Sequence, residues 1–207
     1  MELFAGRIKR YIFTSTMAVY DFEAARREED FDPVTYAYSM GPRTQYPGLQ
    51  GYQEAKRSAE AVLFQHAPFE VVAVRFPLVI GPDDYTKRFA FHVDRVKQGL
   101  PIVAPDPDAR YSFISSADAG KFLSWVGRSN LTGTYNAGCS DDISISALLN
   151  RIKETLGGEV NIVPDGENEA RSPYALPNDL SINVAKAIAA GFTFESLDTL
   201  LERLLFA

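Results

Sequence analysis

A chain of 207 residues that is 46% hydrophobic and 23% charged is long enough to bury a substantial core, as one large domain or two small ones. Its 21 Lys and Arg against 27 Asp and Glu leave a formal charge of −6 with no basic run, which argues against nucleic acid as a partner. A single cysteine, Cys139, excludes an internal disulfide framework and a cysteine-based zinc cage. The two histidines, His66 and His92, leave little for a metal, and the short apolar runs and absent signal-peptide pattern point to a cytoplasmic protein with no membrane partner.

In chain order, a helical stretch over Glu2–Ile8 leads into a short buried strand, Lys9–Thr14, followed by a charged, Pro- and Gly-containing loop over Phe22–Gln50. A helix is predicted from Gly51 through Gln65. The run Glu70–Phe76, β-branched and apolar, reads as a strand buried on both faces. Strand, helix and strand at this spacing suggest a parallel βαβ unit. A helix starting near Ala117, with Ser115 and Asp118 at capping-box spacing, leads to a third strand, Gly133–Gly138. The final third is helix-rich. Ser144 can cap a helix with Ile145, Leu148, Leu149 and Ile152 on one face and Gly157 as its stop. Ser181 and Gly191 bracket another, with Val184, Ala185 and Ile188 inward, and a last helix covers Ser196–Leu205. The segment Asn161–Pro177 reads as a second long loop.

The chemistry begins on the first long helix. Tyr52 and Lys56, four residues apart, share one helix face. A phenol is a feeble acid-base at neutral pH, and a neighbouring ammonium favours its ionised form. The spacing is common, and taken alone it more often marks a solvated helix face than a site. Its surroundings carry more weight. The first strand runs into Thr14-Ser15-Thr16, and hydroxyls at the carboxyl end of a parallel strand sit where open α/β sheets place their ligands. The second strand ends in Arg75-Phe76-Pro77-Leu78-Val79-Ile80-Gly81-Pro82, again a strand end entering a turn. Hydroxyls, a Tyr/Lys pair and a backbone-rich turn therefore converge on one crevice edge.

Through Phe13–Tyr20, the Tyr52/Lys56 pair, Arg75–Pro82 and Phe113–Asp118, the chain resembles the extended short-chain dehydrogenase/reductase superfamily, in its NAD-dependent epimerase/dehydratase branch. The resemblance implies an α/β fold with a partial Rossmann-type parallel sheet and a smaller helix-rich substrate domain. Residues 1–80 would be the C-terminal part of the dinucleotide-binding domain. Residues 81–207 would be mainly substrate-binding, with a helix and strand at about 117–139 returning to the Rossmann sheet. It implies NAD or NADP as cofactor and Thr16, Tyr52 and Lys56 as catalytic residues, with Tyr52 the general acid-base. Thr14, Ser15, Tyr52, Lys56, Pro77 and Val79 would bind the cofactor, and Thr16, Leu78 and Arg110 the substrate; no metal is expected. The substrate is a small molecule with a hydroxyl-bearing carbon, a nucleotide sugar being one candidate and a non-nucleotide carbonyl compound another.

Four departures qualify this. No G-x-x-G-x-x-G or G-x-G-x-x-G occurs, so the pyrophosphate turn and first strands of a Rossmann domain read as absent. The expectation is a C-terminal two-thirds of a longer protein, catalytically silent in the alternative, with an exposed sheet edge open to self-association. Leu78 stands where sugar-nucleotide enzymes of the branch commonly have asparagine. Arg110 is one residue out of their phosphate-binding register, with Lys87, Arg88 and Arg171 as other cations able to meet an anion. The loop from Asp21 to Gln50 reads as surface decoration rather than a lid.

Overall fold

The structure, a computed structural model, describes residues 1–42 and 45–206. Three parallel strands form its first sheet in the order β1 (Arg10–Thr16), β2 (Glu70–Phe76), β6 (Gly133–Asn136). The predicted βαβ unit is present, with α1 (Gly48–His66) as its crossover. β2 lies at the centre, and every residue of it after Glu70 is buried, as its unbroken apolar run requires. β1 lies at the edge of this sheet and is mostly half-buried. The register sets Thr16 beside Phe76, so β1 and β2 end level with one another. Residues 14–16 and 77–79 thereby share one end of the sheet.

Beyond Pro77 the chain enters a second sheet, β3 (Leu78–Ile80), β5 (Arg110–Ser115) and β7 (Asp142–Ser144), with β3 and β5 parallel and β5 and β7 antiparallel. A two-stranded pair joins β4 (Ile102–Val103) to β8 (Ile162–Val163). Between these run α2 (Arg88–Gln98), α3 (Ser116–Arg128), α4 (Ile145–Leu156), α5 (Ala185–Ala189) and α6 (Leu197–Leu205). Capping chemistry fixes several ends. Ser115 Oγ accepts from the Asp118 N–H, Ser144 Oγ from that of Ala147 and Ser196 Oγ from that of Thr199. Gly157, at φ 75°, stops α4.

Several sequence expectations shift. The Glu2–Ile8 helix is a single 3-10 turn, Glu2–Phe4. α1 starts three residues early, at Gly48, because Pro47 at φ −73° suits the entry to a helix. The helix between Ser181 and Gly191 is one short turn. Ala187 is its buried residue, while Ala185 and Ile188 face solvent. Strands β3, β5 and β7 are too short or too polar for periodicity to reveal.

The Asp21–Gln50 loop is not decoration. Its carbonyls at Glu28 and Phe31 accept from the fully buried guanidinium of Arg75, at 3.0 and 2.9 Å. Arg75 also pairs with Glu60 of α1 at 2.6 Å, a carboxylate with 0% exposure, and donates to the Tyr20 hydroxyl at 2.8 Å. All five guanidinium N–H groups thus find acceptors. Glu60 in turn accepts from Ser15 Oγ, and Tyr20 donates to Asn136 at the end of β6. This knot ties α1, all three strands of the first sheet and the long loop into one unit.

Candidate active site

Thr16, Tyr52, Pro77, Leu78 and Val79 line a single cavity of about 370 Å³ at the carboxyl end of the first sheet. Thr16 ends β1 in extended conformation and caps the 3-10 turn Met17–Val19, its Oγ1 accepting from the Ala18 N–H at 3.2 Å. The hydroxyl proton of Thr16 remains available to the cavity. Tyr52 reaches it from the first turns of α1. One turn on, Lys56 donates from Nζ to the Thr14 carbonyl at 3.1 Å, and its ammonium lies 6.0 Å from the centre of the Tyr52 ring and 5.2 Å from that of Phe13. Burial holds the Lys56 ammonium below the ordinary lysine range, with the Glu60 carboxylate pulling the other way. A strand end and a helix face thus supply a hydroxyl and a phenol to one hollow, while Lys56 stands one turn behind Tyr52 and does not line it.

Other expected site residues fall elsewhere. Thr14 contributes its carbonyl to Lys56 and leaves its side chain exposed. Ser15, alternating with its neighbours along β1, turns to the opposite face and bonds Glu60 in the buried knot. Arg110 does not line the cavity: its side chain is 51% exposed, and Nε and Nη2 bind the Asp142 carboxylate and carbonyl at 2.7 and 2.8 Å. The cation at the cavity is Arg88, the first residue of α2, one of the four basic residues that the sequence offered for an anion. Met17, Ala18, Leu49, Pro173, Leu176 and Leu180 complete the lining. The last three come from or beside a segment that reads as loop, and nothing local in sequence marks them.

His92 is satisfied at both ring nitrogens. It is buried in α2, with Nδ1 2.7 Å from the Arg88 carbonyl and Nε2 2.8 Å from Ser172 Oγ, and its ring is stacked on Tyr174 at 4.6 Å. Since a carbonyl can only accept, Nδ1 carries the proton and Ser172 donates to Nε2. Cys139 is buried, and burial pushes its thiol up to about 12, so it is inert packing. A roomier hollow of about 470 Å³ lies between Tyr11, Phe13 and the outer face of α1. Its carboxylate, Glu54, is already engaged by Tyr36 and Arg57. Among the described residues no group of three or more His, Cys, Asp or Glu could hold a metal ion, and no helix is long and apolar enough to cross a membrane.

The chain matches no protein-family model and no curated protein sequence. Its likeness to solved structures is extensive at low identity. It is similar to a dTDP-glucose 4,6-dehydratase from Bacillus anthracis in complex with NAD, at 19% identity and TM-score 0.70, over 99% of this chain and 63% of that one. It is also similar to the UDP-glucose 4-epimerase of Thermus thermophilus in complex with NAD, at 19% identity and TM-score 0.62, over 91% of this chain and 60% of the other. A dTDP-glucose 4,6-dehydratase from Streptomyces venezuelae with NAD bound matches at 17% identity and TM-score 0.68, over 96% and 59%. The chain therefore spans less than two thirds of the length of these solved relatives. Within that span it has the Rossmann-type α/β fold of NAD-dependent nucleotide-sugar epimerases and dehydratases.

Proposed function

We propose that this chain carries the catalytic end of an NAD(P)-dependent oxidoreductase or epimerase acting at a hydroxyl-bearing carbon. The observation that carries the reading is the meeting of Thr16 and Tyr52 on one cavity, with Lys56 one helical turn behind and Pro77–Val79 as the facing wall. Tyr52 is the general acid-base, moving a proton to or from the substrate oxygen. Thr16 donates a hydrogen bond to that same oxygen and fixes its position. Lys56 supplies positive charge beside the phenol. Its anchor on the Thr14 carbonyl leaves two ammonium protons for a ribose hydroxyl at the sheet end.

The residues present fit a nicotinamide at this end of the sheet. The walls offered by Pro77 and Val79 are apolar, as an aromatic ring requires, and the Lys56 donor is anchored on the Thr14 carbonyl at the same end of the sheet. A bound nicotinamide would supply the redox chemistry, accepting or giving the hydride; the protein positions, protonates and excludes water. No glycine-rich turn is present for a pyrophosphate, so NADH affinity is expected to be weak, in the millimolar rather than the micromolar range. Solved relatives crystallised with NAD and nucleotide sugars make those sugars a first class to assay.

The missing glycine-rich turn also favours a second reading, a catalytically silent chain that keeps the catalytic residues without binding cofactor. NADH consumption with a panel of ketones and aldehydes, at high NADH concentration, separates the two. Turnover that disappears in Lys56→Met supports the enzyme. No NADH binding by fluorescence and no consumption would establish the silent reading. The edge position of β1 supports self-association, testable as concentration-dependent sedimentation.

A further inference from the structure

The walls of the cavity say more about its ligand than the resemblance to sugar-nucleotide enzymes does. Setting aside Pro77 and Val79, the part open to a substrate is lined by Met17, Ala18, Leu49, Leu78, Leu176 and Leu180, with Pro173. The polar side chains on the cavity are Thr16, Tyr52 and Arg88. A hydroxylated ring pressed against the remaining walls needs backbone partners, and the N–H donors among them are largely spent. The Leu176 N–H donates to the Tyr174 carbonyl at 2.9 Å and the Leu176 carbonyl accepts from the Tyr111 hydroxyl at 3.1 Å. The Leu180 N–H is bound to the Arg110 carbonyl at 2.9 Å, the Ala18 N–H to Thr16, and the Met17 carbonyl to the Tyr20 N–H at 3.0 Å. Pro77 and Pro173 have no N–H to offer. A sugar hydroxyl pressed against these side chains without reaching a carbonyl would lose its water unreplaced, at about tenfold in affinity.

The one charged side chain is differently placed. Arg88 is 30% exposed and is held at the cavity from two sides, Nη2 donating to the Val79 carbonyl at 3.1 Å and Nε to Thr86 Oγ1 at 3.0 Å. The Asp84 carboxylate lies 3.9 Å from Nε, too far for a hydrogen bond. Among the described residues Nη1 has no hydrogen-bond partner. A guanidinium braced through Nε and Nη2, with Nη1 still free, is suited to one carboxylate.

Resting on the function proposed above, we infer that the substrate is a hydroxy or keto compound with an apolar body and a single anionic group, a carboxylate held by Arg88, rather than a nucleotide sugar. Thr16 and Tyr52 take its reacting oxygen, Arg88 takes its charge, and Leu49, Leu78, Leu176 and Leu180 cover the carbon skeleton between them. The cavity's about 370 Å³, part of it needed by a nicotinamide, sits at the small end of the range for ligand sites and suits such a compound.

Calorimetric titration of the intact chain with phenylpyruvate, its neutral methyl ester and UDP-glucose tests this without cofactor. Phenylpyruvate is expected to bind at least tenfold more tightly than the ester, and UDP-glucose no more tightly than the ester. Arg88→Met removes the preference for the acid, Arg88→Lys keeps most of it, and Leu49→Ser weakens acid and ester together. Absence of phenylpyruvate binding, an unchanged preference in Arg88→Met, or displacement of phenylpyruvate by UDP-glucose would each overturn the inference. Because these are binding measurements, a chain that binds the acid through Arg88 yet never consumes NADH contradicts the proposed reaction and leaves the ligand class standing.

Discussion

Two turns of α1 separate the Glu60 carboxylate from the Tyr52 phenol, and the two groups live under opposite conditions. Around Glu60 the polar atoms are closed on one another: Arg75 spends all five donors, Ser15 and Tyr20 are bound in, and water is excluded. Around Tyr52 the polar atoms are left open. Thr16 keeps a donor, Arg88 keeps Nη1, and both residues line a hollow. The difference separates structural polarity from functional polarity within one helix. A satisfied cluster in low dielectric fixes geometry, while an unsatisfied one on a cavity is a place for a ligand. The knot also serves the hollow, since it clamps the helix carrying Tyr52 and Lys56 to the strand carrying Thr16.

The largest expected effect tests the closed cluster. Arg75→Met should cost about 3–5 kcal/mol in urea unfolding, because it strands Glu60 as a buried, uncompensated charge. The double variant with Glu60→Leu should recover part of that loss. A cost below about 1 kcal/mol for the single variant would show that the pair is not what holds α1 against β2.

A second closed cluster, around His92, makes a pH-dependent version of the same test. Burial pushes its imidazole down to about 4 from 6.5, with the Arg88 carbonyl opposing. Between those values the unfolded chain holds more protons than the folded one, so stability rises with pH. The contribution is whole above 6.5 and is lost as the pH falls toward 4, to the extent of about 3 kcal/mol. Urea titrations at about pH 7 and about pH 4 should show that slope, and His92→Gln should flatten it. An unchanged slope in the variant would assign the acid sensitivity to other groups.

The smallest effect lies far from either cluster. Ser144→Ala removes the acceptor for the Ala147 N–H at the start of α4 and should cost about 1 kcal/mol, with no effect on ligand binding at the cavity.

What could be read from the amino-acid sequence followed the strength of the local signal. Glu70–Phe76 was legible to the residue because an unbroken apolar run has few other uses. The same holds for the cap at Ser144 and the stop at Gly157 in α4. The strand-end hydroxyls and the Tyr52/Lys56 helix face were legible as local features, but only the resemblance singled out Thr16 from Thr14 and Ser15; the structure brings Thr16 and Tyr52 to one cavity. Arg88 was only one of several cations, and choosing it over Arg110 required knowing that the Arg110 side chain reaches Asp142 of β7, two positions along the register from its direct partner Ser144. Leu176 and Leu180 arrive by a long excursion with no periodicity. The long loop looked idle because an arginine inside an apolar strand does not reveal that its acceptors are the carbonyls of Glu28 and Phe31.

The open cluster is tested most directly by comparing NADH-dependent ketone reduction in the wild-type chain and in Tyr52→Phe, with thermal unfolding measured on both. Turnover should fall by about 10²–10⁴-fold while the melting temperature stays unchanged and the Arg88-dependent preference for acid over ester is retained. Equal turnover in the two proteins would contradict the assignment of Tyr52 as the acid-base and, with it, the catalytic reading of the cavity.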